Sequence, residues 1–126
     1  MISAILLSAG LSKRFKNGNK LIHKYNRKEI IIYSLKNILK SKIAEIIIVT
    51  GKDHNKFKKI LPKNKKIKVI NNLKYKNGLS FSIKLGIKHI NLNSKGFFVC
   101  LGDMPFFTDS SYNKMIKHFD KSNEYP

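Results

Sequence analysis

Two short segments of the sequence combine residue types that can bind phosphate groups and a metal ion. In the first, SAGLSKRF, the small residues Ser8, Ala9 and Gly10 have backbone amides that can approach a phosphate closely. Arg14 lies in the same segment, and Lys20 follows six residues later. Arg supplies a planar fork of donors and Lys a mobile point charge, a combination that suits a triphosphate. From these residues alone, a plain turn with two basic residues nearby is an open alternative.

The second segment, GDMPFF, places the carboxylate of Asp103 directly after the apolar run FFVCL. The chain has only seven acidic residues. A lone carboxylate beside a buried strand is costly unless it is paired or binds a cation. Mg²⁺ binds one or two carboxylates together with phosphate oxygens and waters. We therefore predict that Asp103 binds Mg²⁺; the alternatives are a cap of the following turn or an ion pair with one of the many Lys residues.

The spacing of residues argues against several other kinds of binding site. The chain has neither a G-x-G-x-x-G fingerprint nor a G-K-[ST] at Walker A spacing. Cys100 lies within an apolar run and is expected to be a small core residue. A zinc site is not expected, because the histidines have no Cys partner and form no i, i+4 pair. These histidines are His23, His54, His89 and His118.

Hydrophobic patterns predict four strands that alternate with four helices and position these segments. The predicted strands are residues 2–8, 44–50, 66–71 and 97–101, the third nearer an edge and the fourth continuously apolar. The predicted helical faces are Ile31, Leu35, Ile38 and Leu39; Phe57, Ile60 and Leu61; Leu79, Ile83, Ile87 and Ile90; and Tyr112, Met115, Ile116 and Phe119. Asp53, Ser80 and Thr108 are the expected N-caps of the last three helices.

This order of elements predicts an α/β fold, a three-layer α/β/α Rossmann-like arrangement with a mostly parallel sheet. Such sheets bind ligands beyond the carboxyl ends of their strands, where the strand order reverses. In a 3-2-1-4 order that point lies between the first and fourth strands. The two segments follow those two strands, so we expect them to share one crevice.

The net charge of +19 does not by itself indicate a nucleic-acid-binding protein. Only Arg14 and Arg27 are Arg, and the basic residues are spread along the whole chain. Lys, Ile and Asn account for 55 of the 126 residues, and their A- and T-rich codons make base composition a sufficient explanation. A nucleic-acid platform would also need clustered Arg and exposed aromatic residues.

Length and composition predict one globular domain over residues 1–126. One Cys allows no intrachain disulfide, which favours a reducing, cytoplasmic setting. No apolar run approaches the length of a membrane span. The apolar start has no basic residue before it, which argues against a secretory signal peptide.

Three segments resemble the signature of the MobA-like nucleotidyltransferases, which include the molybdenum-cofactor cytidylyl- and guanylyltransferases. LLSAGLSKRF…NKLI is similar to L-A-A-G-x-S-x-R-[MF]-G-x-x-K-L. NNLKYKNGLSFSIKLGI is similar to N-x-x-[WY]-x-x-G-[ML]-x-x-S-[IL]-x-x-G-[LI], and VCLGDMPFFT resembles the strand end G-D-M-P-F-[VL]-T. The matches keep their order across residues 2–108, and they imply a fold of the nucleotide-diphospho-sugar transferase type.

The resemblance implies roles for the matching residues. Arg14 and Lys20 would be catalytic, because they would grip the triphosphate and neutralise charge on the leaving pyrophosphate. Asp103 would bind Mg²⁺. The residues implied in nucleotide binding are Leu7, Ser8, Ala9, Gly10, Ser12, Arg14, Lys20, Asn72, Gly78, Ser80 and Ser82. A purely structural interpretation is also open for Ser80, as a helix cap, and for Gly78, as a turn.

The implied reaction transfers a nucleoside monophosphate from an NTP to a small phosphorylated acceptor, such as the molybdenum pterin, and releases pyrophosphate. CTP is expected rather than GTP, because NGLSFS resembles the cytidylyltransferase version of the central segment. Sugar phosphates and other phosphorylated alcohols are open as acceptors. Neither a membrane nor a nucleic acid is an expected partner.

The chain departs from the family pattern at two places. Lys16 stands where the family has Gly, and KNGN makes the loop one residue longer. Family members also continue beyond the helix that follows GDMP, with another strand, an acceptor-binding region and a second metal-binding Asp. We therefore expect a domain that is incomplete at its carboxyl end, with an edge or apolar face uncovered, and either self-association or a partner that completes the fold.

Two alternatives from other functional classes are open. A truncated, inactive domain would bind NTP and Mg²⁺ weakly without turnover. A Lys-rich nucleic-acid-binding protein would show affinity that falls steeply with salt and does not depend on Asp103.

Overall fold

The computed structural model describes residues 1–8, 20–22, 24–25, 27–102 and 108–122. The strands are β1 (Ile2–Ser8), β2 (Lys24–Tyr25), β3 (Lys28–Glu29), β4 (Glu45–Thr50), β5 (Ile67–Asn71) and β6 (Gly96–Leu101). The helices are α1 (Ile30–Lys40), α2 (His54–Ile60), α3 (Leu79–Lys88) and α4 (Asp109–Ser122). Short 3-10 turns cover Lys20–Ile22 and Tyr75–Asn77.

Four strands form one parallel sheet in the order β5-β4-β1-β6. This order confirms the prediction that the second and third predicted strands lie on one side of the first and the fourth on the other. In the register, Leu6 of β1 is the partner of both Ile48 in β4 and Cys100 in β6. The carboxyl ends of β1 and β6 are therefore neighbours at the point where strand order reverses.

Hydrophobic side chains cover both faces of the sheet and confirm the three-layer α/β/α arrangement. Because side chains alternate along a strand, Ala4 and Leu6 of β1 face one cluster while Ile5 and Leu7 face the other. Buried helix residues of the first cluster come from α1, α2 and α4: Ile31, Leu35, Ile38, Phe57 and Tyr112. Burial of such side chains contributes about 1.5–3 kcal/mol each.

The second cluster is smaller because α3 is the only one of the described helices that packs on that face. Ile83 and Ile90 pack there, as their helical spacing predicts. Leu79 and Ile87 belong to the same predicted stripe, but they are 57% and 43% exposed. The apolar stripe of α3 is thus wider than the surface that the helix buries.

Of the three predicted N-caps, Thr108 is confirmed, Asp53 is confirmed in position only, and Ser80 is wrong. The Ser111 N–H donates to Oγ1 of Thr108 at 3.3 Å, as expected for the cap of α4. Asp53 occupies the N-cap position of α2, but its side chain makes no cap hydrogen bond, and its φ of −104° and ψ of 28° differ from the extended conformation typical of N-caps. Ser80 lies inside α3, because Gly78, with φ of 95°, makes the turn into the helix.

The structure contains a small antiparallel pair that the sequence pattern did not predict. β2 and β3 are two residues each, with Lys24 opposite Glu29. Strands this short carry no detectable alternation of apolar and polar residues. Arg27, between them, has φ of 74°, an uncommon conformation for a residue with a side chain.

A buried carboxylate, Glu45, joins elements at the amino end of the sheet. It accepts the Ser3 hydroxyl and the Asn91 N–H, each at 2.7 Å, and Nζ of Lys68 lies 3.5 Å away. Burial raises the pKa of Glu45, but the two hydrogen bonds and the Lys68 charge outweigh this effect and hold the pKa below its ordinary value. This charged group lies at the end of the sheet opposite the predicted crevice.

Candidate functional site

The carboxyl ends of β1 and β6 place the beginnings of the two sequence motifs side by side. Leu7 is the register partner of Leu101, and the Gly102 N–H donates to the Leu7 carbonyl at 3.3 Å. The Ser34 hydroxyl on α1 donates to the Gly102 carbonyl at 2.8 Å and is buried. The backbone is therefore fixed on both sides immediately before Asp103.

The 3-10 turn that begins at Lys20 packs against the same strand end. A Cβ at position 102 would lie 2.8 Å from Cδ1 of Leu21. Glycine, which has no Cβ, therefore allows the Leu21 side chain to pack against the backbone here. Lys20 is the first residue of this turn. The turn from the first motif and the strand end of the second motif are thus in contact, as the shared crevice requires.

Buried hydroxyl groups tie the carboxyl ends of the other strands together. Oγ of Ser8 donates to the Val49 carbonyl at 2.9 Å, and Oγ1 of Thr50 donates to the Ile70 carbonyl at 3.2 Å. Ser8 and Thr50 are both buried, and the side chain of Leu7 lies in the core on the α3 side. In this structure these side chains belong to the scaffold that carries the loops.

His54 lies beside Thr50 at the start of α2. Its Nδ1 is 2.5 Å from the Thr50 Oγ1. Because that hydroxyl gives its one proton to Ile70, Nδ1 is assigned the imidazole proton and donates to Oγ1. Burial lowers the pKa of His54, and the positive charge of Lys58 makes a smaller contribution in the same direction. The lowered pKa favours the neutral imidazole, and with the proton assigned to Nδ1 the Nε2 atom is an acceptor.

Asn72 and Ser82 are brought together in a buried hydrogen bond. Nδ2 of Asn72 donates to Oγ of Ser82 at 2.9 Å, and Oδ1 accepts the Lys74 N–H at 2.9 Å. The Asn72 N–H also donates to the Thr50 carbonyl at 2.7 Å. The two side chains are 1% and 3% exposed. Asn72 thus connects the end of β5 to α3 and fixes the start of the segment between them.

Gly78 and Ser80 form the entrance to α3. Gly78 has φ of 95° and ψ of 178°, a region that is nearly exclusive to glycine. No atom lies within 4 Å of the position that a Cβ would take, so the need for glycine is conformational and not steric. Ser80 is exposed at the beginning of the helix.

A cavity of about 480 Å³ opens at the carboxyl ends of β4 and β5. It is lined by residues 51–56 and 71–73, among them His54. The sequence analysis missed this cavity; its only signal was Gly51, which ends the second predicted strand. Its position is the edge at which parallel sheets bind ligands.

Several predicted site residues lie outside the described residues. They are Ala9, Gly10, Ser12, Arg14 and Asp103, and the dismissed His23 lies outside as well. The backbone of Lys20 is described but its side chain is not. Within the described part of the chain, no group of three or more His, Cys, Asp or Glu residues could hold a metal ion. The Mg²⁺ site at Asp103 stays a prediction.

A parallel sheet with this strand order, with the ends of β1 and β6 adjacent at its point of reversal, is typical of nucleotide-binding α/β proteins. Within that class, the chain belongs to the MobA-like NTP transferase domain family, whose sequence model matches residues 4–125. This confirms the resemblance seen in the three motifs.

Two curated relatives support the assignment. The probable molybdenum cofactor guanylyltransferase of Thermococcus sibiricus is 32% identical over 121 residues, which is 94% of this chain and 56% of that protein. The protein of the same name from Thermococcus gammatolerans is 32% identical over 126 residues, 98% of this chain and 59% of its own length. The chain therefore spans little more than half the length of the curated relatives it matches.

Solved structures show the same fold at low sequence identity. A nucleotidyl transferase from Methanothermobacter thermautotroptrophicus superposes with a TM-score of 0.82 at 23% identity, covering 94% of this chain and 57% of that one. The 4-diphosphocytidyl-2C-methyl-D-erythritol synthase of Anaerococcus prevotii gives a TM-score of 0.77 at 23% identity, covering 94% and 50%. A Mycobacterium tuberculosis protein in complex with manganese gives 0.73 at 15% identity, covering 92% and 58%. No helix among the described residues is long and apolar enough to span a membrane.

Proposed function

We propose that this chain forms the NTP-binding part of a nucleotidyltransferase, which transfers a nucleoside monophosphate to a phosphorylated acceptor and releases pyrophosphate. Family membership supports the proposal. The observation that carries it is the contact of three segments at one end of the sheet: the end of β1 at Ser8, the end of β6 at Gly102, and the turn that begins at Lys20.

In this proposal the chain positions the triphosphate and stabilises its charge. Backbone amides after Ser8 hold the phosphates, and Arg14 and Lys20 neutralise the charge that develops on the leaving group. An oxygen of the acceptor phosphate attacks the α-phosphorus in line. The bond from the α-phosphorus to the bridging oxygen breaks, and pyrophosphate leaves with the electron pair.

Mg²⁺ is the proposed cofactor, and Asp103 is its proposed protein ligand. Mg²⁺ commonly keeps waters and binds through one or two carboxylates plus substrate phosphates. One carboxylate directly after Gly102 therefore fits such a site, although no larger cluster exists among the described residues. When bound, the ion would neutralise phosphate charge.

CTP is the proposed nucleotide, and a small phosphorylated compound such as the molybdenum pterin is the proposed acceptor. The motif NGLSFS supports CTP. The names of the two curated relatives favour GTP instead. The relative affinities for CTP and GTP are therefore the first quantities to measure.

The experiment is calorimetric titration of CTP, GTP and ATP with Mg²⁺ at physiological salt. It uses the wild-type chain, Asp103→Ala, and Asp109→Asn as the matched control, because Asp109 is an acidic residue outside the motif. We expect Mg²⁺-dependent binding that prefers CTP, is lost in Asp103→Ala and is kept in Asp109→Asn. Pyrophosphate release in the presence of an acceptor separates an active enzyme from a domain that only binds.

Equal, weak binding of all three nucleotides in all three proteins would contradict the proposal. Such binding would report the charge of the Lys-rich surface, and it would fall steeply with salt. Mg²⁺-dependent preference for GTP would keep the enzyme class and replace only the nucleotide.

A further inference from the structure

The cavity at the carboxyl ends of β4 and β5 lies beside the segment that is proposed to hold the phosphates. β4 is the neighbour of β1 in the sheet, and Thr50 at its end is the register partner of Ser8. Neighbouring strands are about 4.8 Å apart. A nucleotide whose phosphates lie after Ser8 can therefore reach the cavity with its base, because the ribose spans the distance between them. The volume of about 480 Å³ is within the range of pockets that take small ligands.

One side of the His54 imidazole is held by the end of β4. Its Nδ1 donates to Oγ1 of Thr50, whose own proton goes to the Ile70 carbonyl. Thr50 is buried, so water does not compete for these two hydrogen bonds. The bond that one ring nitrogen makes decides the role of the other nitrogen. Nε2 is therefore held as an acceptor, and a flip of the ring would break the bond to Thr50.

The other side of the same imidazole is accessible from the cavity. His54 is one of the residues that line it. Nε2 makes no hydrogen bond with any described residue. Among those residues, no side-chain nitrogen or oxygen is both buried and unpartnered, so Nε2 is exposed to ligands. The cavity thus contains one acceptor whose direction is fixed from behind by β4.

The other polar side chains of the cavity select less strongly between ligands. Asn71 is exposed at the end of β5, and its amide carries both donors and an acceptor. Such an amide can turn to pair with either kind of group. Asp53 lies 3.9 Å from Nζ of Lys56, which competes for its carboxylate. His54 is accordingly the group in this cavity that is best placed to distinguish a donor from an acceptor.

We propose that His54 determines which base the nucleotide site accepts, because its Nε2 accepts a hydrogen bond from the exocyclic amino group of cytosine. His54 acts on the same nucleotide as the proposed reaction, so the inference rests on the proposed function and adds a residue that selects the substrate. Uracil carries a carbonyl oxygen where cytosine carries the amino group. That oxygen and Nε2 would be two opposed acceptors with no proton between them. Leu73, which is 83% exposed at the cavity, offers an apolar surface to the ring of the base.

The test is calorimetric titration of CTP and UTP with Mg²⁺ at physiological salt. The two nucleotides have the same charge and nearly the same shape, so the Lys-rich surface does not distinguish them. We expect the wild-type chain to bind CTP about tenfold or more tightly than UTP. His54→Phe keeps an aromatic ring but removes Nε2, and the two affinities should then agree within about twofold. His89→Phe, at the exposed end of α3, is the matched control and should keep the wild-type preference.

Nitrogen-15 NMR of the wild-type imidazole keeps the inference testable if His54→Phe does not fold. In the free protein at neutral pH, the spectrum should show the proton on Nδ1 and none on Nε2. Cytidine and uridine have no phosphate groups, so their binding does not depend on the triphosphate site. Cytidine should shift the Nε2 signal, whereas uridine at the same concentration should leave it unchanged.

Three results would overturn the inference. The first is a preference for CTP over UTP that is the same in His54→Phe as in the wild-type chain, which would leave the proposed function standing. The second is a proton on Nε2 in the free protein. The third is an Nε2 signal that responds equally to cytidine and uridine, or to neither. Absence of Mg²⁺-dependent binding of any nucleotide would instead contradict the proposed function, and the nucleoside spectra would still decide the role of His54.

Discussion

The hydrogen bond between the side chains of Asn72 and Ser82 predicts that removal of the Ser82 hydroxyl group lowers the stability of the protein. Ser82→Ala removes the acceptor of the Asn72 Nδ2, and both side chains are almost completely buried. The amide group would be left without its partner and away from water. A buried polar group in that state costs about 1–3 kcal/mol. We expect the free energy of unfolding to fall by that amount.

The magnitude is measured by urea unfolding, followed by far-ultraviolet circular dichroism. Ser80→Ala is the matched control, because Ser80 is exposed on the same helix. Its effect should stay within about 0.5 kcal/mol. A double-mutant cycle with Asn72→Ala should give a coupling energy between the two side chains of about 0.5–3 kcal/mol.

The cycle also separates two roles for Asn72. If Asn72 acts by positioning the segment that leads to Gly78, Ser82→Ala should weaken nucleotide binding as Asn72→Ala does, in proportion to the stability that each loses. Loss of binding in Asn72→Ala alone, with a coupling energy near zero, would refute the positioning role and indicate direct contact with the nucleotide.

Three further predictions concern other residues. Gly78→Ala should lower the free energy of unfolding by about 1–3 kcal/mol through backbone strain, measured by urea unfolding. The stability contributed by Glu45 should be present above the ordinary Glu pKa and lost as the pH falls through its lowered folded value; Glu45→Gln should flatten that part of the pH–stability curve. Because the pKa of His54 is lowered in the folded state, stability should fall as the pH falls through the ordinary His pKa, and His54→Gln should reduce this dependence; an unchanged slope would contradict the burial of the imidazole.

The secondary structure of the sheet was largely predictable, because each strand and helix carries a local pattern. The predicted strands 44–50 and 66–71 differ from β4 and β5 by one residue at their starts. The strand order also followed, since the alternation of strands and helices restricts parallel sheets to few arrangements. These features depend on neighbouring residues in the chain, which the sequence shows directly.

The features that the sequence could not predict depend on contacts between distant segments. The bond from Asn72 to Ser82 needs the exact placement of α3 over the sheet, and nothing in their spacing specifies it. The exposure of β6 has the same origin: the run FFVCL is continuously apolar, yet only Cys100 in it is fully buried. Apolar composition indicates what a strand can bury, whereas the packing of neighbouring elements decides what it does bury.

β6 links the candidate site to the open edge of the sheet. Its carboxyl end places Gly102, the residue before Asp103 in the sequence, beside the end of β1. Its inner side is fixed by β1 and by the Ser34 hydroxyl, while no strand among the described residues lies on its outer side. The position of the carboxylate proposed to bind Mg²⁺ therefore depends on a strand that is held from one side. Any element that packs against the outer side of β6 would restrict the strand further and would favour a single arrangement of the backbone at Gly102.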